Sequence, residues 1–141
     1  MKKAILYLII FSLLSGCMGL AIKENVVGNY YLIATDVDED LNLSYHEPAD
    51  DNNYGGIIEA TVFAIGYNDE YIIVKQHPRI FPNPPNKAIT NFYILPIKKG
   101  FDWRTKNGLI GPLTEVQFKE EEKKLNIPIG LKFTIEKENL K

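Results

Sequence analysis

The sequence predicts an α+β fold: a small antiparallel sheet of about five strands with one C-terminal helix packed on it, preceded by a cleaved signal peptide. Three observations carry this. Residues 57–76 hold two strand-like apolar runs flanking Tyr67-Asn68-Asp69-Glu70, the composition of a tight turn between paired strands. Thr114 and Gln117 stand at capping-box spacing ahead of a segment whose glutamates and lysines pair at helical intervals. Lys2 and Lys3 precede an apolar stretch over residues 4–14, which has the charge and greasiness of a secretory leader and is too short to span a bilayer.

The leader ends in Leu14-Ser15-Gly16-Cys17, which resembles the lipobox of bacterial lipoproteins. The resemblance implies cleavage after residue 16, leaving Cys17 as a lipidated N-terminus carrying a diacylglyceryl thioether. Two or more acyl chains, at about 0.8 kcal/mol per buried methylene, hold a protein stably on a membrane. Cys17 is the only cysteine, so no internal disulfide supports the fold, and lipidation consumes the one sulfhydryl. Removing residues 1–16 takes two lysines from 16 basic and 18 acidic side chains, and the net charge moves from -2 to -4. That sign disfavours nucleic acid and gives no pull toward anionic lipid, so attraction to the membrane is covalent. The remaining length suits one domain, and no later apolar stretch approaches a bilayer span.

Along the mature chain, residues 17–27 are expected to form the lipidated tether, 28–135 a single domain and 136–141 a frayed tail. Residues 29–35 and 41–45 alternate apolar and polar around the acidic break Asp36-Val37-Asp38-Glu39-Asp40, which predicts a hairpin with an acidic tip. Residues 47–56, with Pro48 and several Asp, Asn and Gly, read as an exposed loop.

From Ile57 to Ile65 a single strand is expected, followed after the turn by 71–76, where Ile72 and Val74 oppose Tyr71, Ile73 and Lys75. Both faces are largely apolar, which places this hairpin mid-sheet. Pro78, Pro82, Pro84 and Pro85 withhold backbone donors and make 77–87 a connection. Phe92, Tyr93, Ile94 and Leu95 supply a further strand, ended or pushed to an edge by Pro96. Residues 98–111 show no regular period, and Phe101 and Trp103 within them read as core plugs.

The helix is expected from Thr114, with Leu113 and Phe118 at staple positions and Val116, Phe118 and Leu125 as its apolar face. Asn126 and Pro128 stop it, and residues 131–135 return as a last strand.

The order of these segments is similar to that of a family of small uncharacterised bacterial lipoproteins, a domain of unknown function. Four stretches carry the likeness, which covers most of the mature chain: Tyr71-Ile72-Ile73-Val74-Lys75-Gln76-His77-Pro78, then Phe92-Tyr93-Ile94-Leu95, then Gly111-Pro112-Leu113-Thr114, and Leu125-Asn126-Ile127-Pro128 with Leu131-Lys132-Phe133. The resemblance implies a fold and a cell-surface address, and brings no assigned activity.

Two candidate sites stand out. Asp36, Asp38, Asp40, Asn42, Ser44 and Glu47 occupy the ligand spacing of a calcium loop, although Leu41 stands where the sharp turn wants glycine and the preceding segment reads as a strand. An acidic hairpin tip accounts for the same residues. Arg79, Ile80 and Phe81 of the proline-rich loop, beside Lys75 and His77 at a strand end, form a candidate partner contact. His46 and His77 are the only histidines, and nothing in the sequence brings them together. No serine lies in a glycine-flanked elbow, and no glycine-rich loop opens a helix.

The expected function is that of a lipid-anchored cell-envelope protein, a non-catalytic module that binds another envelope protein or a small ligand and needs no cofactor. The alternatives are a metal-dependent or hydrolytic envelope enzyme acting through His46, Glu47 or His77, and a calcium-binding lipoprotein. In double-membrane bacteria of the enteric type an aspartate after the lipidated cysteine retains a lipoprotein in the inner membrane. Met18 occupies that position, so an outer-membrane address is expected if the host has two membranes.

Overall fold

Alternating side chains build two antiparallel sheets in the computed structural model, which describes residues 21–50 and 52–141. The first sheet runs in chain order through β1 (Ile22–Val27), β2 (Tyr30–Ala34), β3 (Asn42–His46) and β4 (Tyr54–Ile58). The second takes the order β8-β7-β6-β5-β9, from β5 (Val62–Tyr67), β6 (Tyr71–Gln76), β7 (Asn91–Pro96), β8 (Ile110–Leu113) and β9 (Ile135–Glu136). One α-helix, α1 (Glu115–Lys124), follows β8. The fold is α+β and mostly sheet, with nine strands among the described residues instead of about five in one layer.

The two sheets pack face to face. Tyr30, Leu32, Leu43, Tyr45 and Ile57 of the first meet Ile65, Ile72, Val74 and Leu95 of the second in one buried cluster. On the other face of the second sheet, Ile73, Phe92 and Ile94 meet Phe118 of α1 and Ile127. The β5–β6 hairpin therefore lies mid-sheet and apolar on both sides, because β6 is covered by a sheet on one face and by the helix on the other. Each large aliphatic side chain buried here contributes about 1.5–3 kcal/mol over its exposed state.

Local chemistry sets the turns. Asn68 closes the β5–β6 hairpin through its side chain, whose Oδ1 accepts from the backbone N–H groups of Glu70 at 2.9 Å and Tyr71 at 2.8 Å. At α1, the Thr114 hydroxyl accepts from the Gln117 N–H at 3.3 Å, while the Gln117 amide oxygen accepts from the Thr114 N–H at 2.9 Å. Asn126, at φ 52°, takes the left-handed position just beyond the helix. Val116, expected on the apolar face, is 69% exposed, so Phe118 and Leu125 make the helix's contact with the sheet.

Several boundaries differ from the sequence expectation. Residues 57–65 are not one strand: β4 ends at Ile58 and β5 begins at Val62, in different sheets. The crossing at 59–61 is tied down by the Gln76 side-chain amide, which donates to the carbonyls of Glu59 and Ala60, and by reciprocal backbone bonds of 2.9 Å between Thr61 and His77. Residues 22–27, assigned to the tether, form β1, and 54–56, assigned to a loop, open β4. Residues 110–113 form edge strand β8; of the last expected strand, residues 131–135, only Ile135 pairs in the sheet, joined there by Glu136 from the expected tail. The tail is held: Leu140 is buried, and the Lys137 N–H donates to the Phe63 carbonyl at 2.8 Å.

The strand directions give the sandwich two distinct ends. One gathers the start of β1, the 35–41 connection, the crossing and the 77–90 loop, joined by the Val62 N–H bonding the Leu41 carbonyl at 2.7 Å. The other gathers Gly28 and Asn29, the loop after His46, the Asn68 turn and the segment after Pro96.

Candidate functional site

The residues of the expected calcium loop are dispersed by the strand that contains two of them. Asp38 and Asp40 lie in a 3-10 turn, where Asp38 accepts from the Asn139 amide at 2.8 Å and Asp40 pairs with Arg79. Asn42 and Ser44 follow on β3, bonded to each other at 2.6 Å. Glu47 lies past the far end of that strand, which at about 3.3 Å per residue carries it to the opposite end of the sandwich. Asp36 precedes the 3-10 turn in a bend. Among the described residues, no group of three or more His, Cys, Asp or Glu side chains is arranged to hold a metal ion.

The two histidines are likewise separate. His46, at the end of β3, packs beside Tyr54 at 4.8 Å and Tyr31 at 6.0 Å on the outer face of the first sheet. His77, beyond β6, stacks on Phe63 at 4.2 Å and donates from Nδ1 to the Ile89 carbonyl at 2.7 Å.

The expected partner contact divides as well. Lys75 lies over the rings of Phe133 at 4.3 Å and Phe92 at 5.7 Å, and with the buried His77 it lines an open cleft of about 650 Å³. Arg79 turns back to Asp40, while Ile80 and Phe81 stand in solvent. Cys17 lies outside the described residues.

The cleft with the most built interior lies at the other end of the sandwich. Tyr30 of β2 and Tyr45 of β3 face each other across the first sheet, and Phe101 folds over both from the segment after β7. The rings meet edge-on or tilted, with centroids 5.2 Å apart for Tyr30 and Tyr45, 6.0 Å for Tyr30 and Phe101 and 5.7 Å for Tyr45 and Phe101. Gly28 and Gly100, both at positive φ, turn the chain at the rim. The resulting cleft has a volume of about 770 Å³, within the ~300–1,000 Å³ range of small-molecule sites.

Its floor carries one unsatisfied group. Tyr30 is 2% exposed, and its hydroxyl has no hydrogen-bond partner among the described residues. Burial pushes its pKa up to about 12, and the nearby Lys98 backbone offsets only part of that effect. A buried hydroxyl left unpaired costs about 1–3 kcal/mol.

The rim is charged and mostly self-engaged. One Glu47 carboxylate oxygen accepts from the Trp103 indole N–H at 3.2 Å and from Arg104 at 3.3 Å, and the Arg104 guanidinium lies 4.6 Å from the Trp103 ring centroid. Asp102 accepts from the Arg104 N–H at 3.0 Å, whereas Lys98 and Lys99 reach solvent at the same rim.

A protein family described as "Protein of unknown function (DUF3997)" matches residues 27–139, well over half of the chain. The chain belongs to the DUF3997 family. No curated protein and no solved structure matches it. The matched span of this DUF3997 domain runs from the last residue of β1 to the tail and includes the whole aromatic cleft. Sequence reasoning did not assemble that cleft, since Tyr30, Tyr45 and Phe101 come from three separated segments. Phe101 had a partial signal: an aromatic in a stretch without period is buried for a reason, and here it roofs two tyrosines.

Proposed function

We propose that this chain is a lipid-anchored cell-envelope protein, attached through Cys17, whose domain is a non-catalytic binding module with its ligand site in the Tyr30, Tyr45 and Phe101 cleft. The observation that carries the binding reading is the orphaned Tyr30 hydroxyl at the base of an aromatic cleft of ligand size. A ligand with an apolar body and a polar group at its inner end satisfies that hydroxyl and covers the rings. The acidic group at the rim favours recognition over chemistry, because Glu47 is engaged by Trp103 and Arg104. Anchoring is supported by the leader and by Leu14-Ser15-Gly16-Cys17. In a host with two membranes, Met18 in place of a retaining aspartate permits an outer-membrane address.

Two experiments test these halves. A photo-crosslinking residue at Lys99 in living cells should give a discrete adduct that is lost with Phe101→Ala. A smear unchanged by that variant sinks the cleft as a binding site. Palmitate labelling that is no stronger in wild type than in Cys17→Ser sinks the anchor.

A further inference from the structure

An anchor at Cys17 makes a geometric demand on the domain. Ile22, the first residue of β1, follows Cys17 by five positions. The four residues between them reach about 14 Å when fully extended. The Ala21 N–H bonds the Thr35 carbonyl at 3.3 Å, so the chain enters the sandwich at the end that carries the 35–41 connection. That end is therefore held within about one headgroup layer of the lipid, given the ~5–10 Å depth of interfacial contact.

The same end carries four exposed large apolar side chains on two segments, the 35–41 connection and the 77–90 loop. Val37 is 45% exposed, Ile80 79%, Phe81 82% and Ile89 47%. Their mounts are fixed to the domain and to one another. The Asp40 N–H bonds the Val37 carbonyl at 2.9 Å, and the Asp40 carboxylate holds Arg79, the neighbour of Ile80. Ile89 is held through its carbonyl by the buried His77 ring at 2.7 Å, and the Asn86 N–H bonds the Pro78 carbonyl at 2.9 Å across the loop. Apolar tips on separate braced loops, grouped around the point where a short lipidated tether enters, match a bilayer surface.

We propose that this end of the sandwich rests in the headgroup boundary of the membrane, with Ile80 and Phe81 inserted into it and Val37 and Ile89 at its margin. The proposal rests on the lipid anchor at Cys17. Asp36, Asp38 and Glu39 share this end, so the contact is shallow and stronger on neutral than on anionic lipid. The orientation turns the aromatic cleft, which lies at the opposite end, away from the bilayer.

The test uses the full chain in its lipidated form on phosphatidylcholine vesicles containing doxyl-labelled lipid. With Cys17 blocked by lipid, Phe81→Cys provides a single thiol for a fluorophore, and Asp69→Cys provides the same at the opposite end. Both positions lie on exposed turns, so the fold is retained. The label at 81 should be quenched several-fold more than the label at 69. Equal, weak quenching in vesicle-bound protein overturns the proposal and leaves the anchor standing. Protein that fails to float with the vesicles and takes up no palmitate overturns the anchor, and the proposal with it. A photo-crosslinker placed at position 81 in living cells that captures an envelope protein, where the vesicle assay shows no lipid quenching, assigns the tips to that protein and also overturns it.

Discussion

Trp103 lies flat against Gly55, so close that a Cβ added to that glycine would sit 1.9 Å from the indole ring. Gly55 pairs with Tyr45 in the first sheet, and Trp103 hydrogen-bonds Glu47 at the cleft rim. The absence of one side chain on β4 thus allows the segment that roofs the cleft to close.

Gly55→Ala should displace Trp103 without unfolding the sheets. Trp103 is the only tryptophan, so its fluorescence reports the change directly. A red-shifted emission maximum with retained strand circular dichroism is expected, and an unshifted maximum refutes the contact.

Tyr30→Phe removes an unpaired buried hydroxyl and should leave the unliganded domain as stable or more stable at neutral pH. The pH dependence has a definite sign. The folded-state pKa of Tyr30, about 12, exceeds the ordinary value of 10.0, so the folded protein binds more protons between those values and stability falls as pH rises through that window. Chemical denaturation across pH 9.5–12 should show a steeper loss for wild type than for Tyr30→Phe.

Thr114→Ala removes the hydroxyl that accepts from the Gln117 N–H and should cost about 1 kcal/mol, whereas Thr114→Ser should cost little. Urea denaturation of the three proteins provides the comparison.

Ile94→Ala empties a fully buried site between the second sheet and α1 and should cost about 2–5 kcal/mol. Val116→Ala, on the exposed side of the same helix, should fall within about 0.5 kcal/mol of wild type.

Calcium at millimolar concentration should not raise the melting temperature, since the six residues spaced for a calcium loop run from a bend before the 3-10 turn to beyond the far end of β3, and Asp38, Asp40 and Glu47 are engaged elsewhere. A rise reversed by chelator would restore the calcium loop.

Where local chemistry decides, the sequence was legible. The capping box at Thr114, the left-handed Asn126 and the β5–β6 hairpin each depend on neighbours within a few residues. The break between β4 and β5 was hidden, because Ile57, Ile58, Val62 and Phe63 continue the apolar pattern with no glycine or proline at the crossing. What turns the chain there is tertiary: Gln76 and His77, well downstream, bind its backbone. β1 was hidden for a different reason. As an edge strand it buries only Val26 fully and places Lys23 and Asn25 on the outer face, so its period is weak. The cleft needed three distant aromatics, a relation that no window of sequence displays.

Residues 137–140 fasten the two sheets to each other. Lys137 hydrogen-bonds Phe63 of the second sheet and pairs with Glu24 of the first, and Leu140 plugs the core between them. Force applied along residues 137–140 is therefore shared between both layers at once.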